Sequence, residues 1–269
     1  MSVVSTCDLS GVWTNQYGSV LHIRDTGTLL IATYSSSMGN VGTYRTVGMR
    51  ARTRPGAECS VPVAFAVSWR SLGPEPRDPC WNWSSGMCGS VCLAGDRPVM
   101  KLSHLLLAGS PFPGLASPGT YLGTLEFFRD DDKSVTDVPD ALRKVALCEP
   151  GTDLLSGGWR DDDGTMLVVS VTAEEHGRFG YVDGTLHLAG ENIALTGLTD
   201  IEATRYEGNR QAVSIVAATE TQVYLFAGFL GLKRSGLSLF ALQETPTPSS
   251  QDYVRTALSF HVLCRQKNP

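Results

Sequence analysis

A short motif occurs twice in the chain, and this repetition constrains the fold more than any other feature. Residues 9–13 read LSGVW and residues 155–159 read LSGGW. A polar turn follows each copy, with Asn15 and Ser19 after the first and Asp161 and Thr165 after the second. Two copies are too few for a solenoid, which needs at least three repeats. The repetition therefore predicts two homologous domains that arose by duplication and then diverged.

Strand signals are dense in both halves of the chain. Short segments rich in Val, Ile, Leu, Thr and Tyr alternate with clusters of Gly, Pro, Ser or Asp, and helical periodicity is scarce. This spacing is typical of an up-and-down antiparallel sheet, and closure into a barrel removes its exposed edges. A chain of 269 residues is long enough for two such domains. We predict an all-β protein with domains at residues 7–130 and 151–266.

The segment between the two domains, residues 131–150, differs from both. It opens within an acidic run, RDDDK at 129–133, which is typical of a solvated linker. Residues 137–144 read DVPDALRK, with a capping residue, a proline near the first helical position and basic residues at the end. This order predicts one short helix in the linker.

Charge and motifs exclude several classes of function. The formal net charge is −5, and the chain has no basic stripe of the kind that nucleic-acid binding requires. No apolar run approaches the roughly 20 residues that span a bilayer. The sequence contains no GxSxG, HExxH or phosphate-binding loop, no zinc-type Cys/His spacing and only five scattered histidines. We therefore expect a non-enzymatic protein without a metal or cofactor.

The seven cysteines bear on the compartment. Four of them fall between residues 59 and 92, a density that suits disulfides in an oxidising environment. Asn82 opens an NWS glycosylation sequon, while the opening MSVVST has neither the basic start nor the apolar stretch of a signal peptide. We expect a secreted protein whose leader has been removed, and a cytosolic protein stays open. The odd number predicts one free or intermolecular thiol.

Residues 7–19, CDLSGVWTNQYGS, resemble the first strand and turn of the avidin and streptavidin family. Further matches follow in order at residues 27–37, at FAVSW (65–69) and at 81–88, so that the resemblance covers about 7–128 and, more weakly, 152–265. It implies an eight-stranded antiparallel barrel for each half, with the two barrels packed as a pseudo-dimer; further homo-oligomerisation stays open. It also implies a Cys7–Cys88 disulfide. A Cys148–Cys264 pair is an additional hypothesis, and Cys59, Cys80 and Cys92 are unassigned.

The resemblance also implies a set of ligand contacts. In the family, polar side chains hold the ureido group of biotin, and aromatic side chains enclose its rings. Asn15, Ser19 and Tyr34 match the residues that bind the ureido carbonyl, Trp69 matches one aromatic wall, and Ser36 and Ser71 match further polar positions. Taken alone, Asn15 and Ser19 could simply stabilise a turn.

Three positions depart from the family's pattern in the first half. His104 stands where the family has a second tryptophan, and Leu125 stands where a ureido-binding Asp or Asn is expected. Glu126 would point to the opposite face of its strand. Ser117 lies near the tryptophan that family members lend to a neighbouring subunit. The carbonyl end of the pocket is thus retained, while the aromatic enclosure is depleted.

The second half departs further. Asp161 and Thr165 replace the Asn and Ser, Tyr181 is a candidate for the tyrosine, and Ile215 stands at the position of Trp69. The remaining matches are Phe226, Phe240 and Tyr253 near aromatic positions and His261 near the ureido-binding Asp or Asn. These changes indicate a pocket with a different specificity or a mainly structural barrel.

Two main hypotheses of function follow. In the first, the protein binds biotin or a related small molecule in the mouth of the first barrel, and the retained Asn15, Ser19 and Tyr34 favour this. In the second, it is a lectin-like glycan-binding or protein-interaction module that keeps the barrel without biotin binding, which the depleted aromatic enclosure favours. A storage, toxin or defence protein acting through oligomer surfaces is a third possibility.

Overall fold

The computed structural model describes residues 8–37, 41–52, 60–73, 83–94, 97–109, 118–133, 147–150, 153–202, 210–231, 236–246 and 256–266. Across these ranges the regular structure is β-strand, apart from a short 3₁₀ turn at Ile201 and Glu202. No helix with the length and apolarity needed to cross a membrane occurs in them. The helix predicted at 137–144 lies outside the described residues.

The first half of the chain forms a closed barrel of eight antiparallel strands. Each strand pairs with the next, and β1 pairs with β8 to complete the circle. The strands are β1 (Gly11–Asn15), β2 (Val20–Asp25), β3 (Leu29–Ser36), β4 (Gly42–Arg50), β5 (Val61–Ser71), β6 (Trp83–Ala94), β7 (Arg97–Ala108) and β8 (Gly119–Asp130).

The second half repeats this arrangement with one added strand. The strands are β9 (Leu147–Pro150), β10 (Gly157–Arg160), β11 (Met166–Glu174), β12 (Gly180–Leu188), β13 (Glu191–Thr199), β14 (Gln211–Ala218), β15 (Val223–Leu230), β16 (Gly236–Glu244) and β17 (Ala257–Arg265). Because β10 pairs with both β11 and β17, strands β10–β17 close into a second eight-stranded barrel. Strand β9 pairs with β11 beyond the segment that β10 covers. The predicted all-β fold of two antiparallel barrels is confirmed.

The repeated motif forms the same buried structure at one end of each barrel. Trp13 and Trp159 are fully buried, and each indole Nε1 donates a hydrogen bond to the carbonyl of the motif's leucine, at 3.0 Å in the first barrel and 2.8 Å in the second. Arg129 lies over the ring of Trp13 and Arg265 over the ring of Trp159. A guanidinium over an indole face adds a cation–π attraction to the burial of the ring.

The serine and glycine of the motif are explained by the backbone. Ser10 Oγ accepts a hydrogen bond from the N–H of Asp25, and Ser156 Oγ accepts one from the N–H of Val171, both at 3.0 Å. Gly11 has a φ of +146° and Gly157 a φ of +132°, which side chains with a Cβ rarely adopt. The repeated LSGxW therefore specifies barrel closure in both halves.

The two barrels pack against each other through the outer faces of their central strands. Strands β4, β5 and β6 contact β13, β14 and β15, so equivalent strands face each other across a pseudo-twofold axis. The buried apolar contacts include Val47, Met49, Ala64, Ala66 and Leu105 from the first barrel and Leu198, Val216, Leu225, Ala227 and Leu242 from the second. The barrels thus form the expected intrachain pseudo-dimer.

A buried ion pair joins the barrels within this interface. Arg70 on β5 makes bidentate hydrogen bonds to the carboxylate of Asp200, with an Nη2–Oδ2 distance of 2.8 Å, and its Nη1 lies 3.1 Å from Glu202. The Arg70 and Asp200 side chains are only 4% and 1% exposed. Since both charges are removed from water, each depends on the other for compensation.

We predict that Arg70→Met lowers the free energy of unfolding by about 3–5 kcal/mol, because it removes the guanidinium that compensates the charge of the buried Asp200 carboxylate. The double variant Arg70→Met/Asp200→Leu should recover most of this loss, since apolar side chains of similar volume can replace a buried pair. Urea unfolding of the three proteins measures both effects. A single variant as stable as wild type would contradict the role of the pair.

The structure corrects the predicted disulfides. Cys88 is a free, fully buried thiol on the outer face of β6, and its Sγ lies 3.8 Å from the carbonyl oxygen of Leu242 in the other barrel. Alternation along β6 turns this side chain into the interface, where it acts as a small apolar residue. Cys7 lies outside the described residues. Cys264 is also free and exposed, so the hypothetical pair with Cys148 is wrong as well.

Cys88, Cys92 and Cys264 are all free thiols, and Cys88 and Cys264 should differ sharply in reactivity. Burial, with a further contribution from the charge of Glu244, raises the pKa of the Cys88 thiol well above its usual value, whereas Cys264 is exposed. We expect iodoacetamide to modify Cys264 in the folded protein and Cys88 only after unfolding in urea. Peptide mapping by mass spectrometry checks this, and recovery of a peptide that links Cys7 to Cys88 would contradict it.

Candidate functional site

The predicted site residues lie together at one mouth of the first barrel. Asn15, Ser36 and Ser71 are the last residues of β1, β3 and β5, and Ser19 immediately precedes β2. Tyr34 and Trp69 lie two residues before the ends of their strands, on the same inward face. Antiparallel pairing brings the ends of odd-numbered strands and the starts of even-numbered ones to the same rim. Ligand contact by these residues remains a prediction.

Three of these side chains form a polar cluster around a phenol. Asn15 Nδ2 donates a hydrogen bond to Tyr34 Oη at 3.3 Å, and the Ser19 hydroxyl also hydrogen-bonds to Tyr34. All three are buried, and burial raises the pKa of the Tyr34 hydroxyl despite these two hydrogen bonds. The phenol therefore stays protonated at neutral pH and keeps an O–H to donate.

Asn15 also stabilises the turn between β1 and β2. Its Oδ1 accepts hydrogen bonds from the N–H groups of Tyr17, at 3.0 Å, and of Ser19, at 2.9 Å. The carboxamide oxygen thus caps the turn, while its nitrogen donates to Tyr34. One side chain therefore makes both the cap of the turn and the contact with Tyr34, and ligand contact by Asn15 stays a prediction.

Aromatic rings form one side of the mouth. Trp69 packs at 5.7 Å and 76° against Tyr34 and at 4.7 Å and 60° against Tyr44. Phe127 packs against the other side of the polar cluster, with its ring 6.4 Å from that of Tyr34. The sequence analysis missed Tyr44 and Phe127. Tyr44 pairs directly with Tyr34 across β3 and β4, so it could have been found from the sequence only if the register of this hairpin had been known.

A chain of hydrogen bonds links Trp69 to His104. Trp69 Nε1 donates to Ser85 Oγ at 2.8 Å, and Ser85 Oγ lies 2.9 Å from His104 Nε2. Burial lowers the pKa of His104 to about 4, so the imidazole is neutral at physiological pH. Sequence reasoning also missed Ser85, which joins the one retained tryptophan to the histidine at the position of the second.

The opposite side of the mouth is apolar. Leu125 on β8 is buried inside the barrel, whereas Glu126 is exposed on the outer face, where its N–H donates to Gln16 Oε1. The strand register therefore places a leucine where a ureido-binding Asp or Asn is expected. Ser117 lies outside the described residues.

The second barrel keeps the turn but changes the mouth. Asp161 Oδ1 accepts a hydrogen bond from Thr165 N at 2.8 Å, as Asn15 does from Ser19. The place of Tyr34 is taken by Leu186, since Leu186 pairs with Leu167 as Tyr34 pairs with Leu21. The expectation for Tyr181 is wrong.

Tyr181 packs at the interface between the barrels, not inside the second one. It lies five positions before Leu186 on β12, and strand alternation sends residues with an odd offset to opposite faces.

Two further positions in the second half need correction. Ile215 is inside the barrel but occupies the register of Phe65, since it pairs with Gly197 and Phe226 as Phe65 pairs with Gly48 and Met87; the position equivalent to Trp69 lies four residues further on, at Thr219. Phe240 faces outward, with its ring 4.9 Å from Phe260. Tyr253 lies outside the described residues.

Phe226 and His261 do meet inside the second barrel. Their rings pack at 5.7 Å and 63°. His261 pairs with Leu239 as Leu125 pairs with Leu102, so the histidine occupies the register of Leu125.

A closed eight-stranded barrel with donors and aromatic rings at one mouth is the class of β-barrel that can hold one small molecule. The model of the Avidin family matches residues 3–89 of the chain. The resemblance to the avidin family inferred from the sequence is confirmed over this part of the first barrel. The second barrel lies outside the matched residues.

The search of solved structures gives a match to the X-ray structure of a biotin binding protein from chicken. The two chains are 18% identical, and the match covers 47% of this chain and 98% of the chicken chain with a TM-score of 0.37. No curated protein sequence matches the chain.

We predict that Asn15→Ala lowers the free energy of unfolding by about 1–3 kcal/mol, because the backbone N–H groups of Tyr17 and Ser19 lose their acceptor and the hydrogen bond from Ser19 is buried. Asn15→Asp keeps that acceptor, as Asp161 does in the second barrel, and should stay near wild-type stability. Thermal unfolding followed by circular dichroism compares the variants. Equal melting temperatures for wild type and the alanine variant would contradict the capping role.

Proposed function

We propose that the first barrel is a non-enzymatic binding site for biotin or a related small heterocycle, held at its mouth through a carbonyl oxygen. The observation that carries the proposal is the convergence of Asn15, Ser19 and Tyr34. A carbonyl oxygen accepts hydrogen bonds from a few donors in fixed directions, and these side chains supply an amide N–H and two hydroxyls. In a site removed from water, each missing hydrogen bond discriminates against a wrong ligand.

The aromatic side of the mouth supports the same proposal. Trp69 and Tyr44 form a wall beside the polar cluster, which suits the apolar face of a flat ring system. Ser36 and Ser71 lie further out on the rim, where polar groups of the ligand meet solvent. The match of residues 3–89 to the Avidin family model supports a role in binding rather than in catalysis.

Leu125 defines the specificity that we propose. A urea presents two N–H groups, and the side chain of Leu125 has no carboxylate or amide oxygen to accept one of them. Leaving one buried N–H unpaired costs about 1–3 kcal/mol. The pocket therefore suits a cyclic amide, or a urea bound less tightly than in a site with an acidic side chain there.

The same leucine favours the second candidate function, a lectin-like site. A sugar needs hydroxyl-binding groups and an aromatic face, and it does not need an acceptor at the Leu125 position. Trp69 with the serines of the rim supplies such a surface. A glycan array probed with the purified protein distinguishes this candidate from the first, since binding to glycans without competition by biotin supports the lectin-like site.

We predict that Tyr34→Phe weakens the binding of biotin by about 1–3 kcal/mol, or roughly 5- to 150-fold in Kd, because the ligand carbonyl loses a buried donor. Tyr17→Phe removes the same hydroxyl from a side chain that is 54% exposed outside the pocket, so it is the matched control and should bind as wild type does. Isothermal titration calorimetry measures both. Equal affinities for wild type and Tyr34→Phe would contradict the role of the phenol.

Two substitutions should strengthen the binding of biotin. Leu125→Asn supplies an acceptor for the second ureido N–H, and His104→Trp adds a large apolar surface at little conformational cost. We expect each to lower Kd in the same titration. If biotin binds neither variant nor wild type at millimolar concentration, the proposal falls for biotin itself.

A further inference from the structure

Three polar side chains of the second barrel form a hydrogen-bonded chain that the proposed binding function does not use. Asp161 Oδ2 lies 2.7 Å from Nδ1 of His261, and Nε2 of the same imidazole lies 3.0 Å from Oγ of Ser259. This is the order of groups, carboxylate, imidazole and hydroxyl, with which serine hydrolases activate a nucleophile.

The fold brings these residues together from two strands. Ser259 and His261 are two residues apart on β17, so alternation places them on the same face. Strand β10 pairs with β17, and Asp161 is the residue that follows β10. Ser259 and His261 are therefore held on a paired strand, and Asp161 opens the turn that directly follows the paired strand β10.

The first barrel has none of these groups at the equivalent positions. In the first barrel, strand register places Asn15, Gly123 and Leu125 at the positions that Asp161, Ser259 and His261 occupy in the second. The three polar residues are thus particular to the second barrel and are not a by-product of the shared repeat.

The hydrogen bonds fix the tautomer of the histidine. Burial raises the pKa of Asp161, but hydrogen bonds from His261 and Thr165 outweigh this effect and hold it below its ordinary value. The carboxylate is therefore ionised at neutral pH and can only accept, so Nδ1 of His261 must carry the proton. In the neutral imidazole, Nε2 is then free to accept the proton of the Ser259 hydroxyl.

Solvent exposure increases along these hydrogen-bonded side chains, from Asp161 through His261 to Ser259. The Asp161 side chain is 7% exposed and that of His261 is 16% exposed, while Ser259 is an exposed residue. The ring of Phe226 packs against the imidazole and holds its orientation. A sheltered carboxylate, a clamped imidazole and an accessible hydroxyl together suit a substrate that arrives from solvent.

We propose that Ser259 is an activated nucleophile that takes the acyl group of small neutral esters, with His261 as its general base and Asp161 as a positioning residue. Ser259 Oγ forms a bond to the ester carbonyl carbon as its proton moves to His261 Nε2. The bond from that carbon to the alkoxy oxygen then breaks, and the departing oxygen takes the proton from Nε2 and leaves as an alcohol. Water then forms a bond to the acyl carbon as one of its protons moves to His261 Nε2. The bond from that carbon to Ser259 Oγ breaks, the serine oxygen takes the proton back from Nε2, and the acyl group leaves as a carboxylic acid.

The neighbouring side chains indicate the class of substrate. Ala241, which pairs with Ser259, is small, and Phe226 is apolar, so the space beside the hydroxyl suits a short alkyl acyl group. The ionised Asp161 repels anionic substrates. An acetyl or butyryl ester of an uncharged alcohol or phenol meets both conditions.

The test uses an alkyl fluorophosphonate, with which an activated serine oxygen forms a bond to phosphorus as fluoride and the proton leave. We expect one adduct at Ser259 in the full-length folded protein, identified by intact mass and peptide mapping. The adduct should be absent in Ser259→Ala, and the labelling rate should fall about 100-fold in His261→Gln, the usual contribution of a general base. Ser170→Ala removes another exposed serine from a strand of the same barrel and should leave labelling unchanged.

The variant Asp161→Asn tests whether Asp161 positions the imidazole of His261 or only stabilises the folded structure. The amide keeps an oxygen for Thr165 but presents N–H groups to Nδ1, which favours the wrong tautomer of His261. We expect the maximal rate of labelling to fall while the concentration of half-saturation and the melting temperature stay near wild type.

Release of p-nitrophenol from p-nitrophenyl acetate should depend on the same residues. A folded wild type without an adduct at Ser259, labelling that is unchanged in His261→Gln, or ester cleavage that persists in Ser259→Ala would each overturn the proposal.

Discussion

Closure of each barrel by backbone hydrogen bonds is the constraint on which the rest of this structure depends. Once β1 pairs with β8 and β10 with β17, the inner and outer faces of every strand are fixed, and side chains alternate strictly between them. Leu125 and Glu126 show the consequence, since one lines the interior and the other meets solvent. The chemistry available in each mouth is therefore decided by whether a residue stands at an odd or an even position of its strand.

Packing between the barrels is a second constraint, because the other barrel covers the outer faces of β4, β5 and β6. Both faces of these strands are largely buried, and β5 accordingly begins with a continuous apolar run from Val61 to Val67 and not with an alternating pattern. This burial explains why Cys88 behaves as an apolar residue and why Arg70 needs Asp200. Such an interface resembles that of an obligate homodimer, although one chain supplies both halves.

Much of the architecture could be predicted from the sequence, because its signals are local. The LSGxW motif contains in five residues the buried leucine, the serine acceptor, the positive-φ glycine and the indole that close a barrel end, and it occurs twice. The clustering of Asn15, Ser19 and Tyr34 was predictable on the same basis.

The wrong expectations depended on long-range register. Strand pairing equates Ile215 with Phe65 and not with Trp69, and an odd offset from Leu186 placed Tyr181 outside its barrel. Tyr44 and Ser85 escaped notice because only cross-strand pairing brings them to Tyr34 and Trp69. No local pattern could reveal the pairing of Arg70 with Asp200, which are 130 residues apart in the chain.

The two barrels have diverged at their mouths and not at their closed ends. The Trp–Leu hydrogen bond and the Arg–Trp contact are the same in both, whereas the phenol of Tyr34 gives way to Leu186, and Leu125 gives way to His261. Stability constrains the closed end, while the mouth is free to change its chemistry, as expected where sites are carried on a common fold.

The mouths are nevertheless not independent of the interface. Arg178, between β11 and β12 of the second barrel, donates from Nη1 to the carbonyl oxygen of Ser71 at the rim of the first, at 3.0 Å. Glu174 holds this arginine in place; burial raises the pKa of that carboxyl, but its hydrogen bonds to Arg178 and His176 outweigh burial and lower the pKa to about 2. A guanidinium fixed by a carboxylate that is ionised throughout the physiological range is a rigid donor. The second barrel therefore fixes the end of β5, and with it the backbone two residues beyond Trp69, so the shape of one mouth depends on the presence of the other barrel.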